Sequence, residues 1–309
     1  MQKHRSFSVT LALMIFFGVF LGPKASAQSQ DGFAPNRITL GLVSASQQQE
    51  ITNYFEPLVT YLARKISAAP QPQGKVLVVS SLPELARLLD QKTVDFYMES
   101  PYPTYVINQV HGAGRVLLRR WKNGVAEYRS FIVTAKNSGI ERVDALRGKT
   151  VAFEDPESTS GYFLPKFFLQ RNGFKFSPAN NSSGTPSATI AYTFAGTTEK
   201  VLDLVLSGQV AAGAMSDDEF SLLVAQKKDK LNVLAQTDLL PRHLVSVRKD
   251  LSPESAQRLA AILETMHEDS TGRQILLNLD NTTKFDLLPG GEEAMRRRLL
   301  ETFFDPQRR

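Results

Sequence analysis

The sequence predicts an α/β protein of two lobes, each a mixed, mostly parallel sheet flanked by helices. Three observations carry this. Short runs rich in β-branched and aromatic residues alternate with amphipathic segments of helical period, the pattern of sheets covered on both faces. At 309 residues, with 42% hydrophobic and 22% charged content, the chain is longer than one core usually serves. Glycine, proline and capping residues punctuate the runs where turns belong.

The first 27 residues stand apart. Lys3, His4 and Arg5 precede an apolar run from Phe7 to Gly22, and Ala25-Ser26-Ala27 follows as a small-x-small cleavage pattern. The run is short of the roughly 20 residues that span a bilayer, so it reads as a secretory signal peptide cut near Ala27, with a retained anchor as the alternative.

Beyond it the elements follow in order. Residues 37–43 (RITLGLV) form a strand, and the helix through 54–66 puts Phe55, Leu58, Val59 and Leu62 on one face. A strand at 75–80 leads to Ser81, Pro83 and Glu84, a capping box whose helix ends near Gln91. Strands are expected at 94–98, 114–120 and 128–134. The middle of the chain repeats the scheme, with strands at 149–154, 188–194 and 210–215 and helices near 163–171 and 198–207. Gly208 stands where a left-handed helix cap is expected. Residues 177–187 (SPANNSSGTPS) read as an exposed loop, and 117–124 (LLRRWKNG) as a solvated hairpin. After strand-like runs at 231–237 and 244–250, Ser252-Pro253-Glu254 caps a long helix carrying Leu259, Ile262, Leu263 and Met266.

Composition narrows the function. Lys3, Arg5 and Lys24 leave with the signal, so the 36 basic residues become 33 against 31 acidic ones, a balance that gives no case for nucleic acid. The absence of cysteine rules out disulfides, thiolate metal sites, cysteine nucleophiles and the acylated cysteine of a lipoprotein. His111, His243 and His267 show no metal-ligand spacing, so neither metal nor cofactor is expected. A soluble monomer in a Gram-negative periplasm fits these constraints.

The stretch EDPESTSGY (154–162) gathers the chemistry. A strand ending at Glu154 and a helix starting near Gly161, with Pro165 in its first turn, place Ser158, Thr159 and Ser160 at a helix mouth on the carboxyl edge of a sheet. Free N–H groups, the positive end of the helix dipole and three hydroxyls make a site for a tetrahedral oxyanion. Gly161 lets the backbone come close. The other reading is a single capping serine with the rest solvated, and the local pattern leaves both open.

With its context, the turn resembles that of the periplasmic phosphate/phosphite/phosphonate-binding proteins of ABC importers. The likeness is carried by residues 154–165 (EDPESTSGYFLP), 41–62, 94–107 and 194–220, and runs from about Ile38 to Leu288. It implies a type II periplasmic binding protein, with 36–129 plus 239–309 as lobe one, 130–238 as lobe two, and a small anionic ligand in the cleft. It also implies an inner-membrane permease as partner. By position it makes Ser158, Thr159 and Ser160 the anion cradle and Tyr128 its cover. Thr198 stands where the family often has histidine, and Leu82 where binders of aminoalkylphosphonates have tyrosine. His243 and Asp218 (or Asp217) occupy the places of the carboxylates that meet an ammonium group, which disfavours such ligands.

Glu99 stands where a small residue is usual. It is a structural cap, an acceptor for a protonated ligand oxygen, or the mark of a ligand that is not a phosphonate. Arg242-His243 is either a cationic wall of the cleft or an exposed basic pair. Two other functions remain: a ligand sensor feeding a signalling receptor, and a secreted hydrolase using Ser158 or Ser160 with His243. The hydrolase lacks the first glycine of a G-x-S-x-G elbow, so binding, not catalysis, is the expectation.

Overall fold

A computed structural model describes residues 32–44, 47–179, 189–223 and 227–303. Residues 1–31, where the signal-peptide reading falls, and 180–188, most of the expected loop, lie outside these.

The chain begins β1 (Arg37–Val43), α1 (Gln48–Ile66), β2 (Gln73–Val79), α2 (Leu82–Asp90), β3 (Phe96–Glu99), α3 (Pro101–Tyr105) and β4 (Gly114–Lys122). Helix α1 runs through Pro57 because that residue is exposed, leaving water to take up the freed carbonyl. Its buried face, with Leu58, Val59, Leu62 and Ile66, packs into the first core, each fully buried aliphatic side chain contributing roughly 1.5–3 kcal/mol. The cap of α2 differs from expectation. Ser81 makes no side-chain cap, and Glu84 reaches back instead to the Ser80 N–H at 3.2 Å.

The short β5 (Glu127–Tyr128) leads to β6 (Ser130–Ala135), β7 (Thr150–Phe153), α4 (Leu164–Arg171), β8 (Lys175–Pro178), β9 (Thr189–Phe194) and α5 (Thr198–Leu206). Ser177 and Pro178, expected in a loop, thus end an edge strand. Gly208, after α5, has φ 72°, the left-handed cap its position required. Then come β10 (Ala212–Ser216), α6 (Asp217–Leu223), β11 (Leu231–Gln236), β12 (Leu240–Pro241) and β13 (His243–Arg248). The chain closes with α7 (Pro253–Thr265), α8 (Ser270–Asn278), β14 (Thr282–Leu287) and α9 (Gly291–Phe303).

Two six-stranded sheets result, ordered β14-β4-β13-β3-β1-β2 and β11-β6-β10-β7-β9-β8. The runs β2-β1-β3 and β10-β7-β9-β8 are parallel. The antiparallel share, which strand–helix alternation understates, enters where the chain changes sheet. Strand β6, reached on the way out, lies antiparallel to β10, and β13, reached on the way back, inserts between β3 and β4. The crossings β5 and β12 pair with each other, Tyr128 opposite Leu240.

The solvated hairpin expected at 117–124 is corrected in part: Lys122 and Val125 bridge across a two-residue turn, but the strand leading to it is not solvated. Residues 117–122 lie within β4, an internal strand, where Val116, Leu118 and Arg120 alternate inward. Arg120 is 2% exposed, a burial offset by hydrogen bonds to Thr282 Oγ1 and the Leu279 carbonyl, both 2.7 Å. Helix α9 braces the crossings: Arg298 donates to Glu127 Oε1 and to the Leu239 carbonyl, both at 2.7 Å.

Candidate functional site

Strand β7 delivers the chain into the turn at 154–158, where Asp155 accepts the Glu157 N–H at 2.8 Å. Ser158 Oγ accepts the Gly161 N–H at 2.9 Å, so the helical turn begins at Thr159, two residues earlier than expected. This first turn, Thr159–Phe163, is wide, and Pro165 explains why. Proline has no N–H to close an α turn onto the Gly161 carbonyl, which accepts instead from the Glu154 N–H at 3.1 Å.

The three cradle residues are not equally free. Thr159 is 1% exposed, and its Oγ1 takes the Tyr102 N–H at 3.0 Å and shares a 2.8 Å hydrogen bond with Ser100 Oγ. Ser158 Oγ donates to Glu154 Oε2 at 2.7 Å. The Ser160 carbonyl takes the Ser130 hydroxyl at 2.6 Å, and its side chain, with that of Thr159, reaches the buried phenol of Tyr128, whose pKa burial pushes up. Gly161 serves a different neighbour from the one expected. A Cβ there would lie 2.5 Å from both Cβ and Oε2 of Glu154, so the missing side chain makes room for that carboxyl.

These groups border a cavity of about 670 Å³ between the two sheets, to which Ser158, Thr159, Ser160, Tyr128, Glu99 and His243 all contribute. Thr198, Asp218 and Gly161 stand behind its wall. Glu99 Oε1 accepts the Val43 N–H at 3.0 Å, tying β3 to the end of β1, and burial pushes its carboxyl up to about 8. It therefore braces the fold and lines the cavity at once.

Thr198 opens α5, which Thr197 caps, and its Oγ1 lies 3.4 Å from Glu154 Oε1 and 3.2 Å from Glu219 Oε1. Glu154 and Glu219 both line the cavity, and sequence reasoning passed over both. Glu154 was legible as the first residue of the quoted turn, but its place as the last residue of a strand hid it. Burial, then the charge of Glu219, raises Glu154 to about 7.

Arg242 and His243 both line the cavity, so the exposed-pair reading is corrected, while the wall reading holds for position and not for the charge of His243. Arg242, 5% exposed, is ion-paired with Asp218 and lies over the Tyr128 ring. Burial, helped by Arg120 and Arg242, holds His243 well below its usual range, so it is neutral near pH 7. Asp217 takes the Arg129 N–H, away from the cavity. The contacts of Ser158 Oγ are to Glu154 and Gly161, not to a histidine, which is not the geometry of a nucleophile and its base. Among the described residues no cluster of three or more His, Asp or Glu side chains is placed to hold a metal ion.

A second cavity, of about 250 Å³, lies between α4, α9 and the return crossing, and none of the expected ligand residues lines it.

Comparison with known proteins agrees with this architecture. The family described as ABC transporter, phosphonate, periplasmic substrate-binding protein matches residues 40–288. The chain is 24% identical over 246 residues to the phosphate-import protein PhnD of Mycolicibacterium smegmatis, covering 76% of this chain and 73% of that one. Among solved structures, XAC2383 from Xanthomonas citri bound to ATP superposes with a TM-score of 0.78 at 22% identity, covering 87% of this chain and 97% of that one. PhnD1 from Prochlorococcus marinus in complex with methylphosphonate gives 0.63 at 16% identity over the same shares. The fold is that of the type II periplasmic binding proteins. A match across most of the chain, with two sheets joined by paired crossings around a hydroxyl-lined cavity, places this protein in the family of periplasmic substrate-binding components of phosphonate ABC transporters.

Proposed function

We propose that this protein captures a phosphorus oxyanion, whether phosphonate, phosphite or phosphate, in the cleft between its lobes and delivers it to a permease in the inner membrane. The observation that carries this is the meeting of hydroxyls from both sheets and the hinge at one helix mouth: Ser100, Thr159 and Tyr128. Ser158, Thr159 and Ser160 are the proposed cradle, with Tyr128 covering the ligand and Glu99 at its side. Residues 36–129 with 239–309 form one lobe and 130–238 the other, and closure bends the crossings. The mature chain acts in the periplasm as a monomer after a signal peptide is removed near Ala27, and it performs no catalytic step. The names of two relatives support the ligand class, one importing phosphate and one holding methylphosphonate.

Calorimetric titration of the mature protein with phosphate, phosphite and methylphosphonate tests this, with sulfate as the control. At least one phosphorus oxyanion binds well ahead of sulfate. A ligand at about 100 times its Kd adds about 2.7 kcal/mol of stability, visible in a melting scan. Equal binding of sulfate, or no binding, overturns the proposal.

A further inference from the structure

The cavity holds more negative charge than a dianion tolerates. Lys122 and Arg242, its cations, are already paired with Asp280 at 3.5 Å and Asp218 at 2.5 Å. Glu154, Asp155, Glu157 and Glu219 line the same cavity, where Glu99, pushed up to about 8, is uncharged near pH 7 and His243 is neutral. A doubly charged oxyanion entering this space meets repulsion unless a proton comes with it.

One hydroxyl shows where that proton sits. Thr198, 4% exposed, presents Oγ1 to Glu154 at 3.4 Å and to Glu219 at 3.2 Å. A hydroxyl has one proton to donate, so it serves both carboxyls only when one of them is protonated and donates back. Glu219 Oε2 already accepts from the Ser216 hydroxyl at 2.6 Å and the Ser216 N–H at 3.1 Å. The protonated partner is Glu154. Burial, then the charges of Glu219 and Asp155, raises it to about 7, outweighing the hydrogen bonds of Ser158 and Thr198, which lower it.

We infer that Glu154, positioned by Ser158, Thr198 and the open face of Gly161, carries the proton that pairs with a bound oxyanion, so that the cleft takes a dianionic ligand together with one proton. On binding, the proton turns from Thr198 Oγ1 to a ligand oxygen and the Thr198 hydroxyl is left donating to Glu219 alone, so one unit of the cavity's repulsion is cancelled. This rests on the ligand class proposed above. Above pH about 7 the free carboxyl is ionised, so binding draws the proton from solution and affinity falls roughly tenfold per pH unit.

Calorimetry with methylphosphonate tests it, run from about pH 6 to 9 in two buffers of different ionisation heat. The mature protein takes up close to one proton per ligand at the alkaline end. Glu154→Gln keeps the hydrogen bonds but cannot ionise, and it loses most of that uptake and its steep pH dependence. Glu157→Gln, on the same cavity wall, retains both. Binding without uptake in the native protein, or equal uptake in Glu154→Gln, overturns the inference and leaves the ligand class standing. No oxyanion binding at any pH in the range overturns both.

Discussion

Thr159 Oγ1 lies 2.8 Å from Ser100 Oγ, so a hydroxyl in the turn after β7 is bonded to a residue at the end of β3, in the other sheet. The same oxygen accepts the Tyr102 N–H, and the Tyr102 ring stacks on Phe163. The proposed cradle is therefore also a contact between the two halves of the fold. Substitutions there act on stability as well as on binding.

Thr159→Val keeps the shape and removes the hydroxyl. The Tyr102 N–H loses its acceptor, and the unliganded protein is destabilised by about 1–3 kcal/mol in urea unfolding. Binding of methylphosphonate falls as well. Unchanged stability would show that the Ser100–Thr159 contact is absent in solution.

Gly161→Ala places a methyl group against Glu154, 2.5 Å from its Cβ and Oε2. The carboxyl has to leave its bonds to Ser158 and Thr198, at a loss of about 1–3 kcal/mol in denaturant unfolding. Adding Glu154→Ala removes the contact with Oε2 and leaves the one with Cβ, so the double variant recovers only part of that loss. Additive losses would place the strain elsewhere.

Stability of the unliganded protein falls as pH rises from about 6 to 9. Glu99 and Glu154 are raised from the ordinary value of 4.5 to about 8 and about 7, so the folded state holds protons the unfolded chain has released. Their contribution is full below pH 4.5 and is lost as pH rises through 7 to 8. Glu99→Gln retains an acceptor for the Val43 N–H and removes on the order of 2 kcal/mol of the pH-dependent change. Melting curves across this range decide it, and a native-like slope in Glu99→Gln contradicts the assignment.

Asp218→Asn leaves the Arg242 guanidinium without a counter-charge at the cavity wall. The variant loses about 1–3 kcal/mol of unliganded stability. It binds phosphite more tightly, because a freed cation faces the anion. Weaker binding would mean that the pair positions Tyr128, over whose ring Arg242 lies, and that its charge is secondary.

Much of the fold was legible because hydrophobic period and turn chemistry are local. The strand at 37–43, the cap at Ser252 and the left-handed Gly208 all stand where their neighbours dictate. The strand at 114–120 was legible, but its internal place was not, because Arg119, Arg120 and Lys122 read as polar surface. Only pairing with Asp286 and Asp280 and the bonds to Thr282 and Leu279 make that strand internal. His243 shows the same limit. Its charge depends on Arg120 and Arg242 beside it and on burial, neither of which the local sequence states.

The sequence by itself determined the order of strands and helices, the helix mouth at Ser158–Ser160 and the likeness to a transport family, since each depends on residues close together in the chain. Tertiary structure decided which groups meet there. Ser100 and Thr159 are 59 positions apart, and Thr198 joins Glu154 and Glu219 across separations of 44 and 21. Charge and hydrogen-bond capacity at a site are set by distance through space, and only the packing of two sheets around one cavity fixes those distances.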